Sequence, residues 1–432
     1  MLARRLLALL APLALGACAD DSPSGRPLEP DSTANWPIAA ALPTVRITTT
    51  GGVAITSKET YVGGSVTVTD TGAAAATPLV ATTEVRGHGN STWGVHPKKP
   101  YRLRLTTAAT MLGMPSNRHW VLLANHSDKT LLRNDIVLEM GRRMGWSWVP
   151  RSQHVDLYLN GQYEGIYQIT EHVRLGTNRV NVPEMRVTDT SATDITGGYL
   201  LEIDEIRGEP YCFDPVRLGK PICVKSPETL LEPAWVKQKN WLVGHIGAFE
   251  TALYGPGFAD PTTGYAAYID VPSAIDYYLL EELVKNVDSN LRRGTYLTKP
   301  RGGKIYFGPL WDFDLAIGNV NYDNADKVQG WHTRLGAWYQ RLFQDPAFDA
   351  AVKARWKQLR DAGTVTDMMN YAFRRARLMH TVQARNFERW PILGMYVWPN
   401  RVITGSYSGE MHAMRDWYLL RMAWMDQQLG YP

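Results

Sequence analysis

Two different spacings of apolar residues divide the chain. In residues 44–86, apolar and polar side chains alternate in three short runs, 45–48, 66–69 and 80–85, which Gly-Gly pairs and Ala/Thr turns separate. A period of two is typical of strands that bury one face. The same pattern predicts further strands over residues 101–105, 120–124, 155–159, 163–170 and 198–204. Asn160-Gly161, between two of these runs, predicts a tight hairpin turn.

A period of four replaces this alternation in residues 128–144 and predicts a helix with Asp128 as its N-cap. Its buried face carries Leu132, Ile136, Met140 and Met144. After residue 233 we predict helices over residues 233–253, 273–287, 337–362, 367–389 and 410–428. The fold class is therefore α+β, with a β-rich N-terminal lobe and a helical C-terminal lobe. A ligand is expected in the cleft between them.

Composition excludes several classes of protein. The 432 residues are 44% hydrophobic and 20% charged, which is typical of a globular protein and excludes wholesale disorder and coiled coil. The 46 Lys and Arg exceed the 42 Asp and Glu by only 4, so the charge does not predict a nucleic-acid partner. We expect no nucleic acid and a monomer.

The N-terminal residues predict export. Arg4 and Arg5 precede the apolar run 6–15, which is too short to cross a bilayer, and Leu15-Gly16-Ala17-Cys18 closes it. This ending resembles a lipobox, so we predict a lipoprotein signal peptide over residues 1–18 with Cys18 lipidated. Ordinary cleavage near Ala17, giving a secreted protein, is the alternative. Residues 19–37 are predicted to be a flexible tether and 38–432 the folded domain. The predicted location is the bacterial cell envelope, outside the cytoplasm, with membrane contact only through the lipid.

Cys212 and Cys223 flank a turn-rich stretch. Outside the cytoplasm, two nearby thiols should oxidise to one disulfide. Two buried free thiols are the alternative. A metal site is disfavoured because no other Cys and no His lies nearby in the sequence.

The strongest local signal for chemistry is Leu310-Trp311-Asp312-Phe313-Asp314. Carboxylates two residues apart at the end of a β run point to the same side, and hard oxygen ligands suit Mg²⁺ or Mn²⁺. A solvated strand end is the alternative reading. The apolar flanks argue against that reading, because carboxylates embedded in an apolar run need a partner.

Asp288 is the second candidate. It closes the helix predicted over residues 273–287, and a hairpin of residues 294–299 and 304–308 follows it. Asp288 and Asp312 each lie about a dozen residues from the hairpin tip near Arg301, so strand pairing should return them to the same place. One carboxylate could then accept a proton while the other holds a metal ion. A polar helix end followed by a purely structural hairpin remains the alternative.

A glycine-rich stretch supplies the third candidate. In residues 86–94 glycines lie between two strands, where backbone amides can approach a phosphate, and Arg86, Lys98 and Lys99 add positive charge nearby. An ordinary turn is the alternative, and the chain contains no Walker A pattern. Glu139 lies on the buried side of its predicted helix and should pair with Lys or Arg, either beside phosphates or in a structural ion pair.

These stretches together resemble one family. Residues 86–93 with 98–101, then 128–134, 158–171, 286–290 and 311–318, are similar in order and spacing to the CotH (spore-coat protein H) kinase-like family. The resemblance covers about residues 44–355. It implies a two-lobed atypical protein-kinase fold, with residues 38–230 as the β-rich lobe and 231–432 as the helical lobe. It also implies that ATP and Mg²⁺, or Mn²⁺, are used to phosphorylate serine or threonine in a secreted or envelope protein.

The resemblance also implies roles for residues. Asp288 would be the catalytic base and Asp312 the metal-binding aspartate. Arg293 stands where ordinary kinases place the second metal ligand, an Asn, so Asn290 or Asp314 would take that role. The nucleotide-binding candidates are Arg86, Lys99, Arg104, Glu139 and Glu171. A catalytically silent surface-binding or adhesion lipoprotein with the same fold is the alternative function.

Overall fold

The computed structural model describes residues 41–71 and 77–432. The predicted signal peptide, the lipidated Cys18 and the tether therefore lie outside the described residues. Within the described ranges, no helix is long and apolar enough to cross a membrane.

Seven strands of the N-terminal half close into a barrel in the order β1-β2-β3-β4-β5-β7-β6. The strands are β1 (Thr44–Thr49), β2 (Val62–Thr69), β3 (Leu79–Gly87), β4 (Tyr101–Met111), β5 (Met114–Leu123), β6 (Ser152–Leu159) and β7 (Gln162–Glu171). Neighbouring strands are antiparallel except β1 and β6, which pair in parallel and close the barrel. The predicted Asn160-Gly161 hairpin joins β6 and β7.

The alternation predicted from sequence determines what fills the barrel. Val45 and Ile47 of β1, and Leu103 and Leu105 of β4, point inward and pack with Trp120 in a core that belongs to the barrel alone. The intervening polar residues of these strands face outward, because successive side chains of a strand point to opposite faces.

A second sheet has the order β12-β11-β8-β10-β9 and is antiparallel throughout. Its strands are β8 (Tyr199–Ile203), β9 (Cys212–Phe213), β10 (Ile222–Ser226), β11 (Thr295–Lys299) and β12 (Tyr306–Phe307). The predicted disulfide is confirmed, since Cys212 and Cys223 are bonded and face each other across β9 and β10. Strands β8, β9 and β10 precede residue 230, the predicted boundary between the lobes, and β11 and β12 follow it. The second sheet therefore combines strands from both predicted lobes.

All the helices but the first share a hydrophobic core with this second sheet, and the first packs against the barrel core through Trp93. The helices are α1 (Ser91–Val95), α2 (Arg133–Met144), α3 (Val236–Tyr254), α4 (Val271–Val284), α5 (Ala337–Leu342), α6 (Pro346–Asp361), α7 (Met368–Met379), α8 (Gln383–Arg389) and α9 (Tyr407–Leu429). The mixed α+β class is confirmed. The barrel closure is a feature that the strand pattern did not predict.

Three helix predictions need correction. The helix predicted from Asp128 begins at Arg133, and the Asp128 carboxylate accepts a hydrogen bond from the Arg133 N–H (2.8 Å) instead of capping a longer helix. The helix predicted over residues 337–362 is two helices, because Asp345 caps a new helix that begins at Pro346. The helix predicted over 367–389 is likewise divided, into α7 and α8.

Candidate active site

Asp288 and Asp312 line the same cleft, whose volume is about 240 Å³. Asp288 lies in the turn after α4, which ends where Lys285 adopts a left-handed backbone with φ 46°. The hairpin of β11 and β12 then returns the chain, so that Asp312 follows shortly after β12. The hairpin therefore brings the two carboxylates together, as we expected from their positions on either side of it.

The backbone at Asp312 is held in an unusual conformation. Its φ of 67° lies in the left-handed region, which residues other than glycine rarely adopt. The Asn286 side-chain amide donates to the Asp312 carbonyl (3.2 Å), and the Phe313 N–H donates to the Asn134 side-chain oxygen (2.7 Å). Phe313 itself is fully buried. The turn after α4 and the first turn of α2 thus fix the segment that carries Asp312.

The carboxylates of the cleft repel one another. Asp312 is exposed to the cleft but surrounded by its walls, so desolvation first, and then the charges of Asp288 and Glu202, raise its pKa to about 6. Desolvation and the Asp312 charge raise the pKa of buried Asp314 well above its ordinary value. Desolvation also raises the pKa of Asp288, although Arg293 opposes that shift. A cation placed among these groups would relieve their repulsion.

These residues fit a Mg²⁺ or Mn²⁺ ion that is shared with a phosphate ligand. One oxygen of Asp288, Oδ1, is buried and has no hydrogen-bond partner in the described ranges. No group of three or more His, Cys, Asp or Glu is assembled around one point in those ranges. A complete protein cage is not required, because Mg²⁺ is usually held by one or two carboxylates together with substrate phosphates. Asp312 and Asp314 are the two carboxylates that would do so.

Positive side chains also line the cleft, and we call them its cationic wall. They are Lys58 before β2, Arg86 on β3, Arg102 on β4 and Lys225 on β10, with the carboxylates Glu59, Glu202 and Glu209 among them. The loop between β3 and α1 lines the cleft as well. Gly87 begins that loop, and no larger residue fits there, because a Cβ atom would come within 2.5 Å of the Trp93 ring. Gly89 has φ 76°, which completes the sharp change of direction. The glycine-rich stretch therefore lines the cleft, as expected for a candidate phosphate-binding loop.

A comparison with protein-family models decides the classification. The CotH kinase protein model matches residues 85–425, which is most of the chain and includes every segment of the cleft described above except residues near Lys58.

The chain belongs to the CotH kinase protein family.

A comparison with curated proteins finds no significant match. Membership of the CotH kinase family makes the chain a kinase-like protein and agrees with the resemblance seen in the sequence. The mixed α+β fold is consistent with it.

Of the five predicted nucleotide-binding residues of this CotH-family protein, only Arg86 lines the cleft. Lys99 donates to the Trp93 carbonyl (2.6 Å), and Arg104 pairs with Glu84 on the outside of the barrel (2.7 Å). Glu139 pairs with two arginines of its own helix, Arg142 (3.0 Å) and Arg143 (2.9 Å). These side chains have protein partners and face away from the cleft.

Glu171 also lies outside the lining of the cleft. Its carboxylate is fully buried at the end of β7, between Arg151 (2.9 Å) and Arg179 (2.5 Å). Both arginines come from the chain segments next to β7, so this cluster closes one end of the barrel. Its geometry indicates a structural ion-pair network instead of a contact with a cleft ligand.

Among the predicted metal ligands, Asp312 and Asp314 line the cleft and Asn290 does not. The turn after Asp288 is tight, because the N–H groups of Arg292 and Arg293 both donate to the Asp288 carbonyl. That turn carries Asn290 toward Gly336. Asn286, two residues before Asp288, lines the cleft in its place.

Several cleft residues were not singled out in the sequence. Arg102 and Arg104 lie on the same face of β4, since Tyr101, Leu103 and Leu105 fill the interior, yet only Arg102 is near enough to the start of the strand to reach the cleft. The signal that could have identified it is the short glycine-rich connection to β3. Glu202 and Lys225 come from the second sheet, and no local pattern linked that sheet to the cleft.

Proposed function

We propose that this CotH-family protein transfers the γ-phosphate of ATP to a serine or threonine hydroxyl of a secreted or envelope protein, with Mg²⁺ or Mn²⁺. The observation that supports the proposal is the placement of Asp288, Asp312 and Asp314 in one cleft that positive side chains also line. Phosphoryl transfer depends mainly on positioning and electrostatic stabilisation, and a cleft that holds both carboxylates and cations is suited to both.

The carboxylates would divide the work. Asp312 and Asp314 would hold the metal ion, which when bound neutralises charge on the phosphates. Asp288, which lines the cleft, would accept the proton of the attacking hydroxyl, while the hydroxyl oxygen forms the new bond to the γ-phosphorus, the bond from that phosphorus to the bridging oxygen breaks, and ADP leaves. Desolvation raises the pKa of Asp288, which makes this carboxylate a better proton acceptor. Asn286 and Asn134 position the segment that carries Asp312.

The proposed setting is the outer side of a bacterial membrane. The Cys212–Cys223 disulfide fits an oxidising compartment. The Leu-Gly-Ala-Cys ending at Cys18 supports lipid anchoring, and the stretch 19–37 would act as the tether. In this setting the partner would be a secreted or surface protein, and the kinase would act as a monomer without nucleic acid.

Incubation of the purified full-length chain with radiolabelled ATP and Mg²⁺ or Mn²⁺ tests the proposal. The parent should label itself or an added acceptor protein. Asp312→Asn should lose metal-dependent nucleotide binding, because a neutral amide is a much weaker ligand for a hard cation. Asp288→Asn should keep nucleotide binding and lose transfer, by about a hundredfold or more if proton transfer is rate-limiting.

Asp361→Asn is the matched control for both variants. Asp361 is an exposed carboxylate at the end of α6 that pairs with Lys357. This variant should bind and transfer as the parent does. Normal Mg²⁺-ATP binding by Asp312→Asn would refute the metal assignment. A parent that binds no nucleotide in calorimetry would instead support the silent surface-binding alternative.

A further inference from the structure

The positive side chains of the cleft wall differ in one respect, namely whether they have a partner. Lys58 donates to the Asn90 side chain (2.8 Å). Arg86 donates to the Lys58 carbonyl and lies 3.6 Å from a Glu59 carboxylate oxygen. These two cations already have acceptors within the wall itself.

Two further cations that line the cleft have carboxylate partners. Lys225 lies between Glu202 (3.0 Å) and Glu209, and Arg293, in the turn after Asp288, pairs with Glu205. His88 does not contribute a charge, because desolvation first, and then Arg102 and other cations, lower its pKa to about 3.

Arg102 is the exception. It has no hydrogen bond and no ion pair in the ranges 41–71 and 77–432, and its Nε atom is buried without an acceptor. The Nε atoms of Arg86 and Arg293 are buried in the same way, but those two guanidiniums have partners at their other nitrogens. The side chain lies at the junction of two neighbouring cavities, the cleft itself and a smaller one lined by His172, Arg174 and Lys225. A guanidinium carries five N–H donors, and a buried donor without an acceptor, such as this Nε, is costly.

The pairing of β3 with β4 adds a second unfavourable interaction for the Arg102 charge. Arg102 on β4 is paired directly opposite Arg86 on β3. Like charges that face each other across a strand pair are destabilising. Desolvation first, and then the charges of Arg86 and Arg174, lower the pKa of Arg102. An anion in the cleft would satisfy the free donors and reduce the repulsion between the two arginines.

We propose that Arg102 is the cleft residue that binds the phosphate oxygens of the nucleotide. The proposal rests on the proposed function and refines it, since it assigns the phosphate contact to Arg102 in place of Lys99 or Arg104. The planar guanidinium can donate two parallel hydrogen bonds to a phosphate, which also fixes the orientation of the group. The carboxylates Asp288 and Asp312 line the same cleft as Arg102.

Calorimetry with tripolyphosphate, ATP and adenosine, each with Mg²⁺, tests the assignment on the full-length chain. Arg102→Ala should weaken the binding of tripolyphosphate and ATP by about tenfold to a hundredfold, which is the range for hydrogen bonds to charged groups. Binding of adenosine should not change. Arg104→Ala is the matched control, since Arg104 lies two residues along the same strand face and pairs with Glu84 instead. It should bind all three as the parent does.

Thermal unfolding without ligand supplies a readout that a structural role would not give. Because Arg102 has no hydrogen-bond or ion-pair partner among the residues that the structure describes, Arg102→Met should unfold at the same temperature as the parent or higher, although it should bind ATP weakly. Equal ATP affinity of the parent and Arg102→Ala, or a lower unfolding temperature of Arg102→Met with normal ATP binding, would overturn the assignment. A parent that binds neither ATP nor tripolyphosphate would refute the proposed function itself.

Discussion

At the scale of one residue, the pKa of the buried carboxyl of Glu281 is raised by desolvation and in part by the charge of the cleft residue Asp288. Glu281 is buried in α4, and desolvation, reinforced by the charges of Asp288 and Glu282, raises its pKa to about 8. A raised pKa means that the folded protein holds this proton more tightly than the unfolded chain does, whose glutamate titrates near 4.5. The contribution to stability is therefore fully present below about pH 4.5 and is lost as the pH rises toward 8.

We expect Glu281→Gln to remove this loss, because the amide keeps the shape of the side chain and does not ionise. Urea unfolding at several values between pH 5 and pH 9 measures the effect. The midpoint of the variant should exceed that of the parent increasingly as the pH rises, and the two should approach each other at the acid end. Parallel midpoint curves across this range would contradict the pKa of Glu281.

The sequence was sufficient to predict which residues line the cleft where those residues are joined by a short stretch of chain. Asp288 and Asp312 could be placed together because one hairpin joins them, and the place of Asp314 beside Asp312 in the cleft followed from its spacing. Arg102 could not be told from Arg104, because both share a face of β4 and the difference between them depends on which end of the barrel meets the cleft. That information comes from tertiary packing, which no spacing in the sequence contains.

At the scale of elements, the disulfide staples the short strand β9 to β10, which also carries Lys225 into the cleft. Cys212→Ala with Cys223→Ala should lower the free energy of unfolding by about 3 kcal/mol, the entropic expectation for a loop of 11 residues. Urea unfolding with and without a reducing agent provides the measurement. Reductant should shift the parent to the midpoint of the double variant and leave the variant unchanged. A parent that is insensitive to complete reduction would disprove the stabilising role.

Element boundaries were less predictable than element types. The division between α5 and α6 could have been predicted from sequence, because Asp345-Pro346 is a helix start signal. In the structure the Asp345 side chain accepts a hydrogen bond from the Ala347 N–H (2.9 Å). The division between α7 and α8 carries no comparable signal. The late start of α2 depends on the buried Asp128–Arg133 ion pair, which reaches across the fold to the carbonyl of Ala316. Tertiary contacts of this kind override a local capping pattern.

At the scale of the whole molecule, the barrel depends on pairing that is distant in sequence. Its seam is the parallel pairing of β1 with β6, in which Thr44 lies opposite Asp156. Alternation predicts each strand but says nothing about the partner of an edge strand, so closure was not foreseen. The contacts between the barrel and the helices also join residues that are distant in sequence. Buried Lys98 donates both to the Ile166 carbonyl on β7 and to the Asn386 side chain on α8.

One buried ion pair joins three parts of the helical half. Arg421 of α9 and Glu282 of α4 are both fully buried and 2.7 Å apart. Arg421 also donates to the carbonyls of Val328 (2.7 Å) and Gly330 (2.8 Å). The Glu282 carboxylate accepts from the backbone of His332 (2.7 Å). The pair thus ties α4 and α9 to the irregular segment that follows the cleft aspartates.

Arg421→Met should therefore lower the free energy of unfolding by about 3–5 kcal/mol, because it leaves the Glu282 charge buried without its partner. Adding Glu282→Leu to it should recover part of the loss, since the charge that lacks a partner is then removed. Lys353→Met is the control, because Lys353 forms an exposed pair with Asp349 on α6 and should change stability by only about 0.5 kcal/mol or less. Urea unfolding measures all three. If Arg421→Met and Lys353→Met unfold at the same midpoint, the ion pair does not hold the helical half together.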